Sequence, residues 1–409
     1  MDFDTPIDRH HSYSTQWDFA ADRFGKYDVL PFSISDTDFA APPEVVDALA
    51  RRLRHPVFGY TRWNHSDFKE PIVRWFYRRG KAQIDPDWIV YSPSVMWSVS
   101  TLIRLLSKPG EQVVVFRPLY DGFFGAIQAN GRELVGVDLS ADASVPIDYD
   151  VLAQACTSSA AKIFLLTNPH NPTGRVFTRE ELARMVDIAR KTNTFVITDD
   201  IHRDIILGTV PYTPLTDITT EHVALACSGS KTFNIPGLIG SYAFVPDKAL
   251  REAFLYELKQ KNALSSTSIF GMYAQIAAYT RCDYYVDELN AYIRQNMHYI
   301  LAFLQEQLPQ IRFEVPQATY LAWMDISQLG VSSEDLQQAC VQYGHVGIMS
   351  GTTYGDERFM RMCVGCPRTK LERGLQGLLR GVRGLKETSA AQEVQSAQEV
   401  HPHEGVQRL

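Results

Sequence analysis

Between residues 88 and 245 the chain repeats one pattern: a short run of β-branched and other apolar residues, a polar turn, then a segment with apolar residues at helical spacing. The runs are "WIVY" at 88, "QVVVF" at 112, "ELVGVD" at 133, "KIFLLT" at 162, "TFVIT" at 194, "HVALAC" at 222 and "GSYAFV" at 240. Several are apolar throughout, as strands covered on both faces must be. Between them, "MWSVSTLIRLLSK" and "TREELARMVDIARKTN" carry the helical period, and Thr178 with Glu180 and Glu181 in the first turn predicts a helix start. This alternation predicts an α/β fold whose mostly parallel seven-stranded sheet has helices on both faces. Sites in such sheets lie at the carboxyl ends of the strands.

After residue 260 the pattern changes to long helical stretches, followed by "RFEVPQATYLAWMDI" and "RFMRMCVGCP", which read as strands of a smaller α+β unit. The first 45 residues find no place in the parallel sheet and are expected to join that unit. The expected division is therefore 1–45, an N-terminal segment; 46–283, the larger unit; 284–385, the smaller unit; and 386–409, a tail. The tail, "KETSAAQEVQSAQEVHPHEGVQRL", has no aromatics and few large apolar groups, so it is expected to be disordered.

Composition narrows the function. With 409 residues, 45% apolar and 21% charged, the chain can bury a sizeable core. A net charge of -7 with scattered Lys and Arg gives no footprint for nucleic acid. No run approaches a membrane span, and the start lacks the apolar core of a secretory signal, so a cytoplasmic protein acting on a small molecule is expected. Cys363 and Cys366 form a C-x-x-C without a second pair or a nearby His, which favours packing over a metal or redox site.

Polar residues collect after three of the expected strands. Asn171 follows "KIFLLT", Asp199 and His202 follow "TFVIT", and Lys231 follows "HVALAC" within "ACSGSKTFNIPG". Taken alone, Lys231 could be a surface-loop residue and His202 a packed histidine. Ser228-x-x-Lys231 also matches the S-x-x-K of penicillin-recognising enzymes, but the S-D-N and K-T-G partners are missing.

The ordered set N-P-x-N-P-x-G, D-[DE]-x-H and S-G-S-K-x-F-N-x-P-G resembles the fold type I pyridoxal phosphate enzymes of the aspartate aminotransferase superfamily. Within it, "TQWDFAADRFG", "ISDTDFA", "FGYTRW", "DDIHRDI", "SGSKTFNIPGL", "QATYLAWMD" and "GCPRTK" resemble the MalY/PatB family of cystathionine β-lyases and cysteine-conjugate carbon-sulfur lyases, across roughly residues 5 to 385.

The resemblance implies pyridoxal 5'-phosphate as cofactor and gives each residue a role. Lys231 would form a Schiff base with the cofactor aldehyde and then move the substrate α-proton. Asp199 would face the pyridine nitrogen, Asn171 and His202 the phenolic oxygen, and Tyr120 would stack on the ring. The backbone amides around Ser94, Val95 and Met96, at a helix N-terminus, would hold the phosphate, with hydroxyls from Ser228 and Ser230. Ile239 stands where many aminotransferases have an arginine for that phosphate. Tyr60 would reach the phosphate of a neighbouring subunit, implying a homodimer. Arg361 would pair with the substrate α-carboxylate, the backbone around Ser35 and Asp36 would face the same group, and Tyr354 would line the side-chain pocket.

The reaction so implied is β-elimination from cystathionine, cystine or another cysteine conjugate. Two alternatives stay open on the sequence: an aminotransferase, and a regulatory protein that keeps fold and cofactor with little turnover.

Overall fold

The computed structural model describes the backbone of residues 1–399, with side chains through residue 387. Eleven strands among these residues form two sheets: β1 (Leu30–Phe32), β2 (Ile89–Ser92), β3 (Gln112–Arg117), β4 (Glu133–Asp138), β5 (Ala161–Thr167), β6 (Phe195–Asp199), β7 (Val223–Cys227), β8 (Ser241–Phe244), β9 (Leu321–Asp325), β10 (Val346–Ser350) and β11 (Phe359–Cys363). The seven apolar runs are the seven strands of one sheet, in the order β2-β8-β7-β6-β5-β3-β4. Only β8 runs against its neighbours; β7, β6, β5, β3 and β4 pair in parallel.

The strand order positions the site. β3, β5, β6 and β7 are adjacent and parallel, so their carboxyl ends lie in a row, about 4.8 Å apart. Residues more than a hundred positions apart in sequence meet there. The row is rigid because every residue of β7 and Ile163, Phe164, Leu165 and Leu166 of β5 are buried. Each Val, Leu, Ile or Phe among them contributes about 1.5–3 kcal/mol on burial. The helix Arg179–Thr192, between β5 and β6, starts where expected: Thr178 Oγ1 accepts from the Glu181 amide, and Glu181 Oε2 accepts from the Thr178 amide.

The second sheet has the order β1-β10-β11-β9. β1 pairs in parallel with β10, while β11 lies antiparallel to both β10 and β9. The N-terminal segment therefore joins this sheet through β1, and the chain beyond β1 runs on toward the first sheet. Its position is fixed at Asp38, which accepts hydrogen bonds from Lys370 Nζ at 2.5 Å, Trp17 Nε1 at 2.8 Å and Arg9 Nη1 at 2.9 Å.

The C-terminal stretch differs from expectation. The helix that begins at Arg368 continues to Glu399, through most of the segment expected to be disordered. Leu371, Leu375, Leu378, Leu379 and Val382 anchor its first turns in the core. Once a helix is nucleated, Ala, Gln and Glu prolong it at little cost, and residues 390–393 are Ala-Ala-Gln-Glu. Residues 400–409 lie outside the described residues.

Candidate active site

Lys231 lies in the turn after β7, and its Nζ donates a 2.6 Å hydrogen bond to Ser35 O. Burial lowers its pKa, with the Arg361 charge acting the same way, against the opposing pull of Asp36 and Asp199. A lysine shifted in this direction keeps more of its amine neutral and nucleophilic.

Asp199 ends β6, 3% exposed, and its Oδ1 accepts only from the Ile201 amide, at 3.1 Å. Burial pushes its pKa up to about 7, although the Ile201 bond and the Lys231 charge favour the carboxylate. A cation placed against this side chain would relieve that penalty. His202 follows in the turn, with Nδ1 buried and without a hydrogen-bond partner. Burial, helped by the Lys231 and Arg361 charges, lowers the imidazole to about 3, so the ring is neutral.

Asn171 is delivered by the loop after β5. The loop is closed by bonds from the Gly174 amide to His170 O and from the His170 amide to Arg175 O, both 2.8 Å. Gly174 sits at φ +70, and a Cβ there would meet Ala318 O at 2.6 Å, so glycine is required. His170 supports the loop through Nδ1 and Thr173 Oγ1 at 2.9 Å. Asn171 Oδ1 accepts from Arg361 Nη1 at 3.2 Å.

Arg361 comes from β11 of the other sheet and is 3% exposed. Its Nη2 donates to Ser33 O at 2.8 Å, its Nε has no partner, and among the described residues no carboxylate pairs with it. An unpaired buried guanidinium is costly and calls for an anion.

These groups line a single cavity of about 200 Å³, bounded by Ser35, Val95, Met96, Tyr120, Asn171, Asp199, His202, Lys231 and Arg361. Tyr120 caps the helix Asp121–Ala129 just beyond β3, and burial, with Asp121 and Asp199 nearby, pushes its phenol up to about 12. Val95 and Met96 open the helix Val95–Leu106, whose first turn stands at the cavity wall.

The remaining expected residues lie outside the cavity wall. Ser94 Oγ caps its own helix by accepting from the Trp97 amide. Ser228 Oγ donates to Gly240 O at 2.7 Å, so its proton is already committed, and it accepts from the Ser230 amide at 3.1 Å. Asp36 is held by Arg9 at 2.8 Å. Tyr354 is buried beneath Arg361, whose guanidinium carbon lies 4.1 Å from the ring centroid. Tyr60 is fully exposed and is not part of the cavity wall. In the other direction, the cavity includes Arg23, Ile34, Asp121, Thr167 and Ile201, which the sequence did not single out.

The donor set fits pyridoxal 5'-phosphate. A buried amine of lowered pKa suits an aldehyde, an unpaired buried carboxylate suits a pyridinium, and the unpartnered His202 Nδ1 and the Asn171 amide suit a phenolic oxygen. The comparisons agree with this fit. A model of the aminotransferase class I and II family matches residues 27–378. Protein MalY of Escherichia coli strain K12 is 42% identical over 94% of this chain and 100% of its own length. The chain belongs to the MalY/PatB family.

A second member, cystathionine β-lyase PatB of Bacillus subtilis strain 168, is 35% identical over 92% of this chain and 98% of its own. Among solved structures, cystalysin from Treponema denticola, which contains pyridoxal 5'-phosphate, superimposes with a TM-score of 0.88 at 27% identity, covering 94% of this chain and 99% of its own.

Proposed function

We propose that this MalY/PatB family member is a pyridoxal 5'-phosphate-dependent carbon-sulfur β-lyase that cleaves cystathionine, cystine or a related cysteine S-conjugate to pyruvate, ammonia and a thiol. The observation that carries the reading is the shared cavity of Lys231, a buried amine, and Arg361, a buried guanidinium without a carboxylate. The pairing suits an α-amino acid, with its carboxylate on Arg361 and its α-carbon facing Lys231.

When bound, the cofactor supplies an electron sink for the bonding pair of the α-carbon. Asp199 would hold the pyridine nitrogen protonated, and Asn171 and His202 would donate to the phenolic oxygen. Tyr120 would lie against the ring, and the amides of Ser94, Val95 and Met96 would hold the phosphate at the helix N-terminus. Ser230 can add a donor; Ser228 acts through the Ser230 amide. Arg361 fixes the substrate carboxylate, with the carbonyls of Ser33 and Ser35 bordering the same space, and Asp36 and Tyr354 support this arrangement from behind.

Lys231 Nζ takes the α-proton. The Cβ–S bond then breaks with its electron pair on sulfur as the Cα=Cβ bond forms, and water converts the released aminoacrylate to pyruvate and ammonia. No keto acid is consumed.

A homodimer is part of the same reading. Tyr60 is 101% exposed and stands with Leu53, Val57 and Phe58 in one exposed, apolar stretch, the composition of an interface. There Tyr60 would reach the partner's phosphate. The division into 1–45, 46–283 and 284–385 is supported by β1 pairing with β10 and by the confinement of the seven-stranded sheet to residues between 89 and 244.

The test is product analysis with the purified holoprotein. Catalytic pyruvate release from L-cystathionine without any acceptor supports the lyase; a single turnover that stops until a keto acid is added supports an aminotransferase.

A further inference from the structure

Behind the turns that carry His202 and Lys231 lies a buried ion pair that the chemistry above does not use. Asp204 ends the turn after β6, two residues past His202, and is 4% exposed. Its Oδ1 and Oδ2 accept from Trp75 Nε1 at 3.0 and 3.2 Å, Oδ2 accepts from Thr232 Oγ1 at 3.1 Å, and Arg203 Nη2 lies 3.4 Å from Oδ2. Among the described residues Arg203 makes its one ion pair with Asp204; its Nε and Nη2 form no hydrogen bond, and its guanidinium carbon rests 3.7 Å over the Phe76 ring. Neither residue lines the active-site cavity; both line a separate one of about 170 Å³. Thr232, which is buried, immediately follows Lys231. Each turn is closed by its own backbone bonds, from the Ile205 amide to His202 O and from the Phe233 amide to Gly229 O, both 3.0 Å. Among the described residues, the hydrogen bond from Thr232 to Asp204 is what joins residues 201–204 to residues 228–235.

Resting on the reading of Lys231 as the cofactor amine, we propose that Asp204 is a positioning residue for Lys231, acting through the Thr232 hydroxyl. A buried ion pair is a poor source of stability, since apolar residues of similar volume often fill such a space as well or better. A carboxylate that gathers donors from the helix Ser66–Gly80 and from the turn after β7 instead fixes their relative place. The bond at Thr232 sets where the Lys231 backbone lies against the turn that carries His202, and so where Nζ stands relative to Asp199 and Asn171. A misplacement of about 1 Å in such a group costs up to about a hundredfold in rate. Arg203 supplies the countercharge on the side away from Lys231's cavity.

The test compares wild type with Thr232→Val, Thr232→Ser, Asp204→Asn and the double variant Thr232→Val/Asp204→Asn, each checked by thermal unfolding to be folded at the assay temperature. Cofactor-free protein is mixed with saturating pyridoxal 5'-phosphate, and the adduct trapped at Lys231 by borohydride is followed in time by peptide mass. Thr232→Val removes the hydroxyl at nearly constant volume. It should attach cofactor about tenfold or more slowly than wild type and, as holoenzyme, lose kcat on L-cystathionine by a similar factor with KM changed less than about twofold. Thr232→Ser should restore both. The double variant should be no slower than Asp204→Asn alone, because the two changes remove one contact. Wild-type rates in Thr232→Val, losses that Thr232→Ser does not recover, or losses that add in the double variant overturn the positioning role. Should Asp204→Asn not fold, the two Thr232 variants decide alone. A wild-type protein that traps no cofactor at Lys231 defeats the cofactor reading and this role with it. Trapping without pyruvate release defeats the lyase activity alone, and the attachment rates then decide the positioning role.

Discussion

Lys231 Nζ and Ser35 O are 2.6 Å apart, joining a turn after β7 to the segment that follows β1. The same segment receives Arg361 Nη2 at Ser33 O and the Tyr320 hydroxyl at Ser35 O. One extended stretch therefore sets the separation between the amine and the guanidinium, and the site depends on both sheets.

On the proposed mechanism, Lys231→Ala should remove the amine that would attach to the cofactor and move the α-proton. Loss of the proton-transfer role alone is worth roughly a hundredfold to ten-thousandfold in kcat. The variant should also fail to trap cofactor covalently on borohydride reduction. A reducible adduct at another residue would contradict the assignment.

Arg361→Ala should raise KM for cysteine conjugates by removing a buried, charge-assisted contact worth about 2–5 kcal/mol. Arg361→Lys should recover only part of the loss, because the ammonium keeps the charge without the planar fork. Cofactor content, read from absorbance, should stay near wild type in both. Cofactor loss with an unchanged KM would show that Arg361 is structural.

Asp199→Asn separates burial from chemistry. The folded carboxyl is raised to about 7, above its ordinary value of about 4. Its contribution to stability is therefore fully present below pH 4 and lost as pH rises through 7. In cofactor-free protein the stability of Asp199→Asn relative to wild type should increase between about pH 4 and pH 7 and then level off. Denaturant unfolding at several pH values checks this, and a difference that declines with pH would contradict it. In the holoenzyme the variant should lose activity about a hundredfold or more, the scale of a removed preorganised polar group.

Asp38→Ala tests the anchor of the segment. Burial alone would raise this carboxyl, but Lys370, Trp17 and Arg9 hold it below the usual carboxylate range. Its stabilisation is present above about pH 4 and fades as pH falls through the lower folded value. Removing it leaves Lys370, 7% exposed, without its carboxylate, a loss of about 3–5 kcal/mol. Thermal unfolding measures the loss, and KM should rise as the segment carrying Ser33 and Ser35 loosens.

The seven strands of the main sheet were legible because burial on both faces writes continuous apolar runs. β1 and β10 were not. β1 has three residues, and β10 carries Gly347, where a Cβ would strike the Phe24 ring at 2.3 Å; glycine weakens the strand pattern. Lys231, Asp199 and Asn171 stand out in the sequence as polar residues after apolar runs, and Arg361 by its apolar context and the family resemblance; the structure brings all four to one cavity. Arg23 enters the cavity through the path of the N-terminal segment, which no local pattern encodes, and Asp121 enters it beside Tyr120 at the start of the helix after β3. Hydroxyl direction was equally hidden: nothing in "SGSK" says that Ser228 donates to Gly240. The tail's composition forecasts little burial, and the helix that runs through it to Glu399 continues from upstream residues that do pack.

The central claim is elimination without an acceptor. The direct measurement is pyruvate formed per active site from L-cystathionine, in purified holoprotein, with no keto acid present. The account predicts many turnovers, equal yields of pyruvate and ammonia, and no sustained turnover of L-alanine, which lacks a leaving group. One equivalent or less per site, with accumulation of pyridoxamine phosphate until a keto acid is supplied, would contradict it.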